Sequence, residues 1–305
     1  MAPHACVLLC SVFFFGTAAA LLAEDETRPV VVDANGSEPE HNQFTEPGEY
    51  VQPAWAERSR MSASTSVYVL SPDEIFGGLW WQAEARRHGK TRHRFIEEFD
   101  FGLGHRFELG VENEIGVLGS DIHETGVTFE ARYAFANWNK LPLNPAISVE
   151  YVQGAGRSVR FVEGLTTKRT PLRRDPNAIV TRLLFGQNFG DQIAYGLNLS
   201  LLENVSHGSG HEFEINQSLS YGLMKGRFEV GAEMRFTHTV EGGSRDLDEV
   251  LIGPDFAWKP TRQLRVGIAP LFGCTHDAPQ ASVSALISYE FGGAESIVEP
   301  LGASR

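Results

Sequence analysis

The chain has 305 residues and a formal net charge of −13 at pH 7; 42% of its residues are hydrophobic and 31 are glycines. The acidic balance excludes a nucleic-acid-binding function, because phosphate backbones require a basic surface. After residue 23 no apolar window approaches the about 18 residues that a membrane-spanning helix needs, so the sequence offers strands rather than spanning helices.

The first 23 residues have the features of a secretory signal peptide. An apolar run over residues 5–23 ends in the alanine-rich stretch Thr17–Ala23, and acidic residues 24–26 follow immediately. Residues 1–23 are therefore predicted to be a signal peptide that directs export across the inner membrane, with an uncleaved anchor helix as the alternative. Cleavage would leave Cys274 as the single cysteine, which excludes an intramolecular disulfide and a thiolate metal cluster.

Residues 24–75 form an acidic stretch of low periodicity. Pro, Gly, Ser and Asn are scattered through it, and acids strongly outnumber arginines. Such a composition predicts a mostly disordered periplasmic leader. Within it, Ser66–Leu70 could add a short strand or a plug. At the other end of the chain, residues 292–305 are predicted to be a periplasmic tail.

Between residues 76 and 291, apolar residues occur at every second position in successive windows. In Phe107–Leu118, for example, Phe107, Leu109 and Val111 alternate with charged or small residues. Period two is typical of strands, and the windows match the roughly 9–11 residues of a tilted membrane-spanning strand. The predicted strands are 77–87, 93–103, 107–118, 125–136, 146–154, 178–189, 193–203, 211–223, 228–239, 248–258, 264–273 and 281–291.

The connectors between these windows alternate in length. Those after even-numbered strands are mostly tight, and those after odd-numbered strands are mostly longer and polar, as in 154–177. This alternation favours an all-β, antiparallel transmembrane β-barrel of about twelve strands, with ten or fourteen as alternatives, long outer loops and short periplasmic turns. A soluble sandwich or lipocalin-like barrel also alternates, but its apolar face would point inward.

The last window, Val283–Phe291, alternates apolar residues and ends on an aromatic side chain. In this it resembles the terminal assembly strand of Gram-negative outer-membrane β-barrel proteins, although residues 292–305 follow where that class usually stops. The layout is also similar to uncharacterised barrels of the phenol-degradation meta-pathway group, which are regarded as small-molecule channels. The resemblance implies insertion by the barrel-assembly machinery, contact with outer-membrane lipid and lipopolysaccharide, and passage of small solutes.

If the apolar parity faces lipid, the opposite parity lines the lumen. The lumen then contains more carboxylates than guanidinium groups, which predicts either a cation-preferring pathway or a structural network of ion pairs. The residues predicted to line it are Glu108, Glu112, Glu114, Glu130, Arg132, Glu150, Arg182, Glu214, Glu229, Glu233, Arg235, Asp255 and Arg265.

Pro254 and Pro270 lie on the lipid parity of consecutive strands. A turn centred near Arg262 would place them opposite each other, and each lacks a ladder donor. We interpret the pair as a local kink that could open the wall laterally, or as an ordinary bulge near a rim.

Catalytic and metal chemistry have weak support in the sequence. His207 and Ser209 invite comparison with outer-membrane acyl hydrolases, in which a histidine deprotonates a serine hydroxyl. The histidines lack metal-ligand spacing, and no glycine-rich phosphate-binding motif precedes a helix, so neither metal nor cofactor is expected. The sequence predicts a non-enzymatic, porin-like passive channel through a charged lumen. A closed structural or surface-interaction barrel is the first alternative, and an acyl hydrolase is the second.

Overall fold

The computed structural model describes residues 47–56, 65–87, 89–119, 121–154, 157–158, 173–174, 177–190, 192–205, 210–241, 246–261 and 263–292. Within these residues no helix is long and apolar enough to cross a membrane. The predicted signal peptide and almost all of the predicted tail lie outside them.

Twelve antiparallel strands form one closed barrel, in which each strand pairs with its neighbours along the chain and the last strand pairs with the first. The barrel strands are β1 (Ile75–Ala85), β2 (Arg92–Gly104), β3 (Phe107–Leu118), β4 (Asp121–Ala134), β5 (Ala146–Gly154), β8 (Ala178–Phe189), β9 (Ile193–Asn204), β10 (Gly210–Leu223), β11 (Phe228–Glu241), β12 (Leu247–Trp258), β13 (Leu264–Gly273) and β14 (Ala281–Phe291). The remaining two, β6 (Arg157–Ser158) and β7 (Arg173–Arg174), pair with each other inside the long connector 155–177. The prediction of an all-β barrel of twelve strands is confirmed.

Closure depends on the pairing of β1 with β14. Ile75 lies opposite Phe291 and Ala85 opposite Ala281, in an unbroken register. We call the barrel end that contains Ile75 and Phe291 the inner rim, which corresponds to the predicted periplasmic side, and the opposite end the outer rim. Because the ladder closes on itself, the barrel has no free sheet edge, which would otherwise leave backbone groups without partners in lipid.

The distribution of side chains is inverted relative to a soluble barrel. Large apolar side chains on the outer surface are exposed, among them Leu79 at 60% and Phe99 at 49%, whereas Glu98 and Glu233 on the inner surface are fully buried. A soluble barrel would place its apolar parity inside, because burial of charges is costly and burial of apolar area is favourable. The outer surface is therefore the lipid-facing one, and the soluble alternative is excluded.

Aromatic side chains lie on the outer surface near both rims, as in membrane barrels, where they occupy the lipid–water interface. Near the inner rim Phe228 and Trp258 stack with ring centroids 6.2 Å apart, and Tyr289 contacts Phe291 at 4.6 Å. Towards the outer rim Trp81 stacks on His93 at 6.0 Å. These two belts delimit the apolar band of the barrel.

One strand begins earlier than its pattern predicts. The structure starts β4 at Asp121, not at 125, so that only residues 119–120 separate it from β3. The register shifts between Glu114 and Ile115, so that Thr125 has no partner across the ladder. The hydroxyl of Thr125 donates to the Glu114 carbonyl at 2.9 Å. This β-bulge reverses the side-chain parity, which is why the alternation appeared to end there.

Replacement of Phe99 by arginine tests the lipid-facing surface. Phe99 lies in the middle of β2, where a charge facing the centre of the bilayer is expected to cost about 2–4 kcal/mol of the free energy of unfolding. Denaturant titration of the barrel folded into lipid vesicles measures this cost. Ile122→Arg is the matched control, because Ile122 lies near the outer end of β4 and is 73% exposed. Its expected cost is about 0–1 kcal/mol, and equal small costs at both positions would contradict a lipid-facing surface.

Candidate functional site: the lumen and its internal segment

Part of the chain that precedes β1 lies inside the barrel. We call residues 47–56 and 65–71 the internal segment. Thr65, Tyr68 and Leu70 in the second stretch, and Gln52 in the first, are almost completely buried. Residues 66–70, for which the sequence analysis offered a short strand or a plug, lie in the lumen and form no strand. Disorder of the leader stays a prediction, because residues 24–46 and 57–64 lie outside the described residues.

Glycines on the lumen face allow the internal segment to approach the wall. Gly186 on β8 and Gly196 on β9 lie directly opposite each other in the ladder. A Cβ atom at Gly196 would lie 2.6 Å from Cγ2 of Thr65 and 2.9 Å from Cγ1 of Val67, and one at Gly186 would lie 2.9 Å from Cβ of Val67. Real Cβ atoms do not tolerate such contacts, so this glycine pair is a seat for the segment.

A third glycine on the opposite wall holds the end of the segment. A Cβ atom at Gly102 on β2 would lie 1.9 Å from the carbonyl oxygen of Ser71. The backbone N–H of Gly102 donates to the Glu74 carbonyl at 2.9 Å, and the N–H of Asp73 donates to the Gly102 carbonyl at 3.0 Å. The segment thus crosses the lumen from β8 and β9 to β2 before it enters β1.

Wall side chains satisfy the backbone polar groups of the segment. Asn198 accepts a hydrogen bond from the Ser66 N–H at 3.0 Å and donates from Nδ2 to the Ser66 carbonyl at 2.5 Å. Oε2 of Glu108 accepts from the Leu70 N–H at 2.7 Å, and Nη1 of Arg132 donates to the Tyr68 carbonyl at 3.2 Å. Buried backbone groups need such partners, so the wall is built to receive this segment.

An aromatic cluster lies at the inner end of the lumen. Trp138, in the inner-rim connector 135–145, makes edge contacts with Trp55 at 5.6 Å and Tyr68 at 5.2 Å between ring centroids. The backbone N–H of Trp138 donates to the Tyr50 carbonyl at 3.0 Å. Burial raises the pKa of Tyr68 to about 12, so its phenol stays protonated and donates to the Ala136 carbonyl.

Arg132 is the centre of a buried charge cluster beneath the segment. Its guanidinium lies 3.1 Å from Oε1 of Glu108 and 2.6 Å from Oε1 of Glu130. Oε1 of Glu130 also accepts from the Ser148 hydroxyl at 2.6 Å. These charges are nearly inaccessible to water, so the cluster is stable only while each partner is present.

The same region contains the described carboxylates with metal-ligand geometry. Glu98, Asp100 and Glu130 each place an oxygen within 4.8 Å of the others. Protein donors already occupy two of them: Trp80 donates from Nε1 to Glu98 at 2.7 Å, and Arg132 and Ser148 donate to Glu130. The group is therefore explained as part of the charge cluster.

A second charge cluster lies near the inner rim of β11–β13. Glu229 lies between Lys259 and Arg265, with nitrogen–oxygen distances of 3.1 Å and 3.3 Å. Lys259 was missed by the sequence analysis because it follows the end of β12. It continues the inward parity of Asp255 and Ala257, which is the pattern that could have identified it.

The outer part of the lumen contains less buried ion pairs. Arg94 pairs with Glu114 and Arg182 with Glu150. Arg86 approaches Glu84 at 3.8 Å and Glu249 at 3.9 Å. Apart from Glu150, which is buried, these side chains are partly exposed, unlike those of the two buried clusters.

The residues predicted to line the lumen fall into two groups. Eight are buried: Glu108, Glu130, Arg132, Glu150, Glu229, Glu233, Asp255 and Arg265. Five are half-buried: Glu112, Glu114, Arg182, Glu214 and Arg235. The structure brings several of them together as ion pairs, and their role in a solute pathway stays a prediction.

The two prolines coincide with an interruption of the ladder. The register of β12 and β13 aligns Pro254 with Pro270, but pairing stops after Ile252–Phe272 and resumes at Phe256–Ile268. On their other sides both strands pair continuously. A Cβ at Gly253 would lie 1.9 Å from the Pro270 carbonyl oxygen, so the backbones remain in close contact at the interruption. A lateral opening there stays a hypothesis.

His207 and Ser209, the residues of the hydrolase hypothesis, lie outside the described residues, as does most of the connector 155–177. Cys274 is exposed and forms no disulfide within the described residues, and its thiol donates to the Phe272 carbonyl at 3.6 Å.

No protein-family model matches the chain, and no curated protein matches its sequence. Solved structures do match. An outer-membrane channel from Pseudomonas putida F1 is 10% identical, with a TM-score of 0.54 over 73% of this chain and 97% of that chain. The KdgM porin is 12% identical, with a TM-score of 0.46 over 70% of this chain and 99% of that chain. The first of these likenesses shows the fold, which is that of an outer-membrane β-barrel, whereas the finer similarity to the phenol-degradation group stays a prediction.

Replacement of Gly196 by valine is expected to displace the internal segment, because the new side chain would occupy the space of Thr65 and Val67. Overpacking of this kind costs about 1–3 kcal/mol. The probe is a cysteine at position 66 (Ser66→Cys) in a mature protein that carries Cys274→Ser. Its labelling by a bulky maleimide should become several-fold faster when Gly196 is replaced by valine. The control is Gly222→Val, because a Cβ at this lumen-facing glycine would lie no closer than 3.7 Å to another atom. Equal labelling rates in the two variants would contradict the seat.

Replacement of Arg132 by methionine is expected to destabilise the barrel by about 3–5 kcal/mol, because two buried carboxylates would lose their cationic partner. Denaturant titration in vesicles measures this loss. Arg132→Lys is the control for charge alone and should lose less, since it retains the charge but not the forked donor geometry. A cost below about 1 kcal/mol for Arg132→Met would show that the cluster contributes little to stability.

Proposed function

We propose that the barrel is a porin-like passive channel for small polar solutes, and that the internal segment closes its lumen at rest. The observation that supports this proposal is the seat formed by Gly102, Gly186 and Gly196. The obstruction is a separate stretch of chain that rests on these glycines. Because the segment is not a strand of the wall, it can leave the lumen without opening a ladder pair.

The charge of the lumen gives the proposed channel a preference. Carboxylates outnumber guanidinium groups on the inward parity, and the pairs of the outer part are only partly buried. Carboxylates that line a narrow, low-dielectric passage raise the local concentration of cations. Once the segment has moved, the channel should therefore conduct K⁺ better than Cl⁻.

A permanently closed barrel is the second candidate, and one observation favours it. The side chains of Asn198, Ser148 and Glu98 in the middle of the lumen are at most 1% exposed. Channel and closed barrel differ only in whether the segment moves, so a conductance experiment separates them.

We extend the proposal to the location of the protein, which is the outer membrane, and to its partners there. The exposed apolar band and the aromatic belts suit a bilayer, and the terminal strand β14 is similar to the assembly strand of outer-membrane barrels. Export by the signal peptide, insertion by the barrel-assembly machinery and contact of the outer connectors with lipopolysaccharide follow from this location.

Deletion of residues 47–71 is expected to convert a barrel of low conductance into one with several-fold larger conductance steps in planar bilayers. The reversal potential in a KCl gradient should indicate a preference for K⁺. The deletion ends before Ile75, so every ladder pair of β1 is retained, and a heat-dependent shift in gel mobility checks that the variant is folded. Absence of conductance from a folded deletion variant would reject the channel and leave the closed barrel.

A further inference from the structure

The lumen wall contains a niche of small residues around Asp255. This residue faces inward from β12 and is 1% exposed. Its register partner on β11 is Gly231, and the register of β12 and β13 aligns it with Ala269. Its inward-facing neighbours along β12 are Gly253 and Ala257. None of these four residues carries a polar side chain that could bond a carboxylate.

Asp255 accordingly lacks hydrogen-bond partners. Within the described chain, neither of its carboxylate oxygens accepts a hydrogen bond. A Cβ at Gly231 would lie 2.7 Å and 2.9 Å from these oxygens, so the carboxylate rests directly on the glycine. Burial of an ionised carboxylate without a partner is costly, which makes this group an exception that needs an explanation.

The backbone around Asp255 is also poor in donors. Pro254 precedes it and Pro270 lies across the interrupted ladder, and proline has no N–H group. The Pro270 carbonyl oxygen lies against Gly253, as the 1.9 Å distance to its Cβ position shows. Oxygen atoms without donor hydrogens are the surroundings that hard cations and ammonium groups prefer.

The cationic side chains near Asp255 pair with another acid. Lys259 and Arg265 lie 3.1 Å and 3.3 Å from the carboxylate oxygens of Glu229. Arg265 and the acids Glu229 and Glu233 act on Asp255 through space. Because Arg265 bonds Glu229 through Nη2 and donates no hydrogen bond to Asp255, Asp255 has no hydrogen-bonded cation in the described chain.

The wall has open space at Gly267, one strand from Asp255. Gly267, on the inward face of β13, lies opposite Ala257, the next inward-facing residue of β12 after Asp255. A Cβ built on Gly267 would meet no atom closer than the Phe256 carbonyl oxygen at 3.7 Å. Space for a small group therefore exists at the edge of the niche.

We propose that the Asp255 niche binds one monovalent cation, either an alkali ion or the ammonium head of a primary amine. The bound cation replaces the missing donors of Asp255 and compensates the charge of its carboxylate. The competing explanation is that Asp255 takes up a proton and is a neutral structural acid. The cation site does not depend on the proposed channel, because the experiment that tests it measures cation binding and not conduction.

The test compares the thermal unfolding midpoint of the detergent-purified full chain in KCl, methylammonium chloride and tetramethylammonium chloride at equal ionic strength. Heat-dependent gel mobility reports the folded fraction. A ligand that binds only the folded state raises the midpoint with concentration, so K⁺ or methylammonium should raise it by several degrees over the bulky tetramethylammonium ion. The cation with the larger effect identifies the source of the charge.

Asp255→Asn should abolish this dependence on the cation, because it retains the shape but not the charge. Glu97→Gln is the control for the loss of one negative charge, since Glu97 is exposed on the outer surface of β2, and it should respond like the wild type. Should Asp255→Asn fail to fold, Gly267→Val fills the open space and should weaken the response about tenfold in cation concentration. Equal midpoints in all three salts for the wild type would overturn the proposal and identify Asp255 as a protonated acid.

Discussion

Lipid offers no hydrogen bonds to a backbone, and this constraint determines the architecture of the molecule. The chain satisfies it by pairing β1 with β14 without a break, so that the ladder has no edge. In the closed barrel, alternate side chains of every strand face the lipid, and the side chains between them face the lumen. The exposed Leu79 and Phe99 meet lipid, and the acids and arginines are confined to the interior. A charged lumen is therefore a consequence of closure in lipid.

The internal segment follows from the same constraint. An interior lined by carboxylates and guanidinium groups is expensive to bury unless each group finds a partner. The segment supplies some of these partners from its backbone, as when Leu70 donates to Glu108 and Tyr68 accepts from Arg132. Glycines at 186 and 196 provide the necessary space. Wall and segment thus stabilise each other, although only hydrogen bonds and packing join them.

Periodicity predicted most of the barrel but little of its interior. Strands such as β3 alternate regularly, because each residue has a single role towards lipid or lumen. The prediction failed at β4, where the bulge at Thr125 reverses the parity, and a reversal cannot be distinguished from a strand end by counting. Pro254 and Pro270 were correctly aligned, since a turn fixes the register on both of its sides.

The site was harder to predict, because its contacts join residues far apart in the chain. Ser66 and Asn198 carry no local pattern that identifies them as partners. One indication was available, namely that Gly186 and Gly196 occupy lumen positions in otherwise regular strands, and such glycines often mark a close approach of another backbone. The charge cluster around Glu229 likewise includes Lys259, whose position in a turn concealed its inward direction.

The most direct test of a segment seated in the lumen is a disulfide between Thr65→Cys and Gly196→Cys, made in a protein that carries Cys274→Ser. The ideal Cβ position at Gly196 lies 2.6 Å from Cγ2 of Thr65. The sulfur of a cysteine at position 65 would take the place of this Cγ2 atom. Both thiols would be in the oxidising periplasm, where disulfides form and persist. Thiol counting on barrels extracted from the outer membrane should find the pair oxidised, and a pair that stays reduced in a folded barrel would contradict a segment seated on β9.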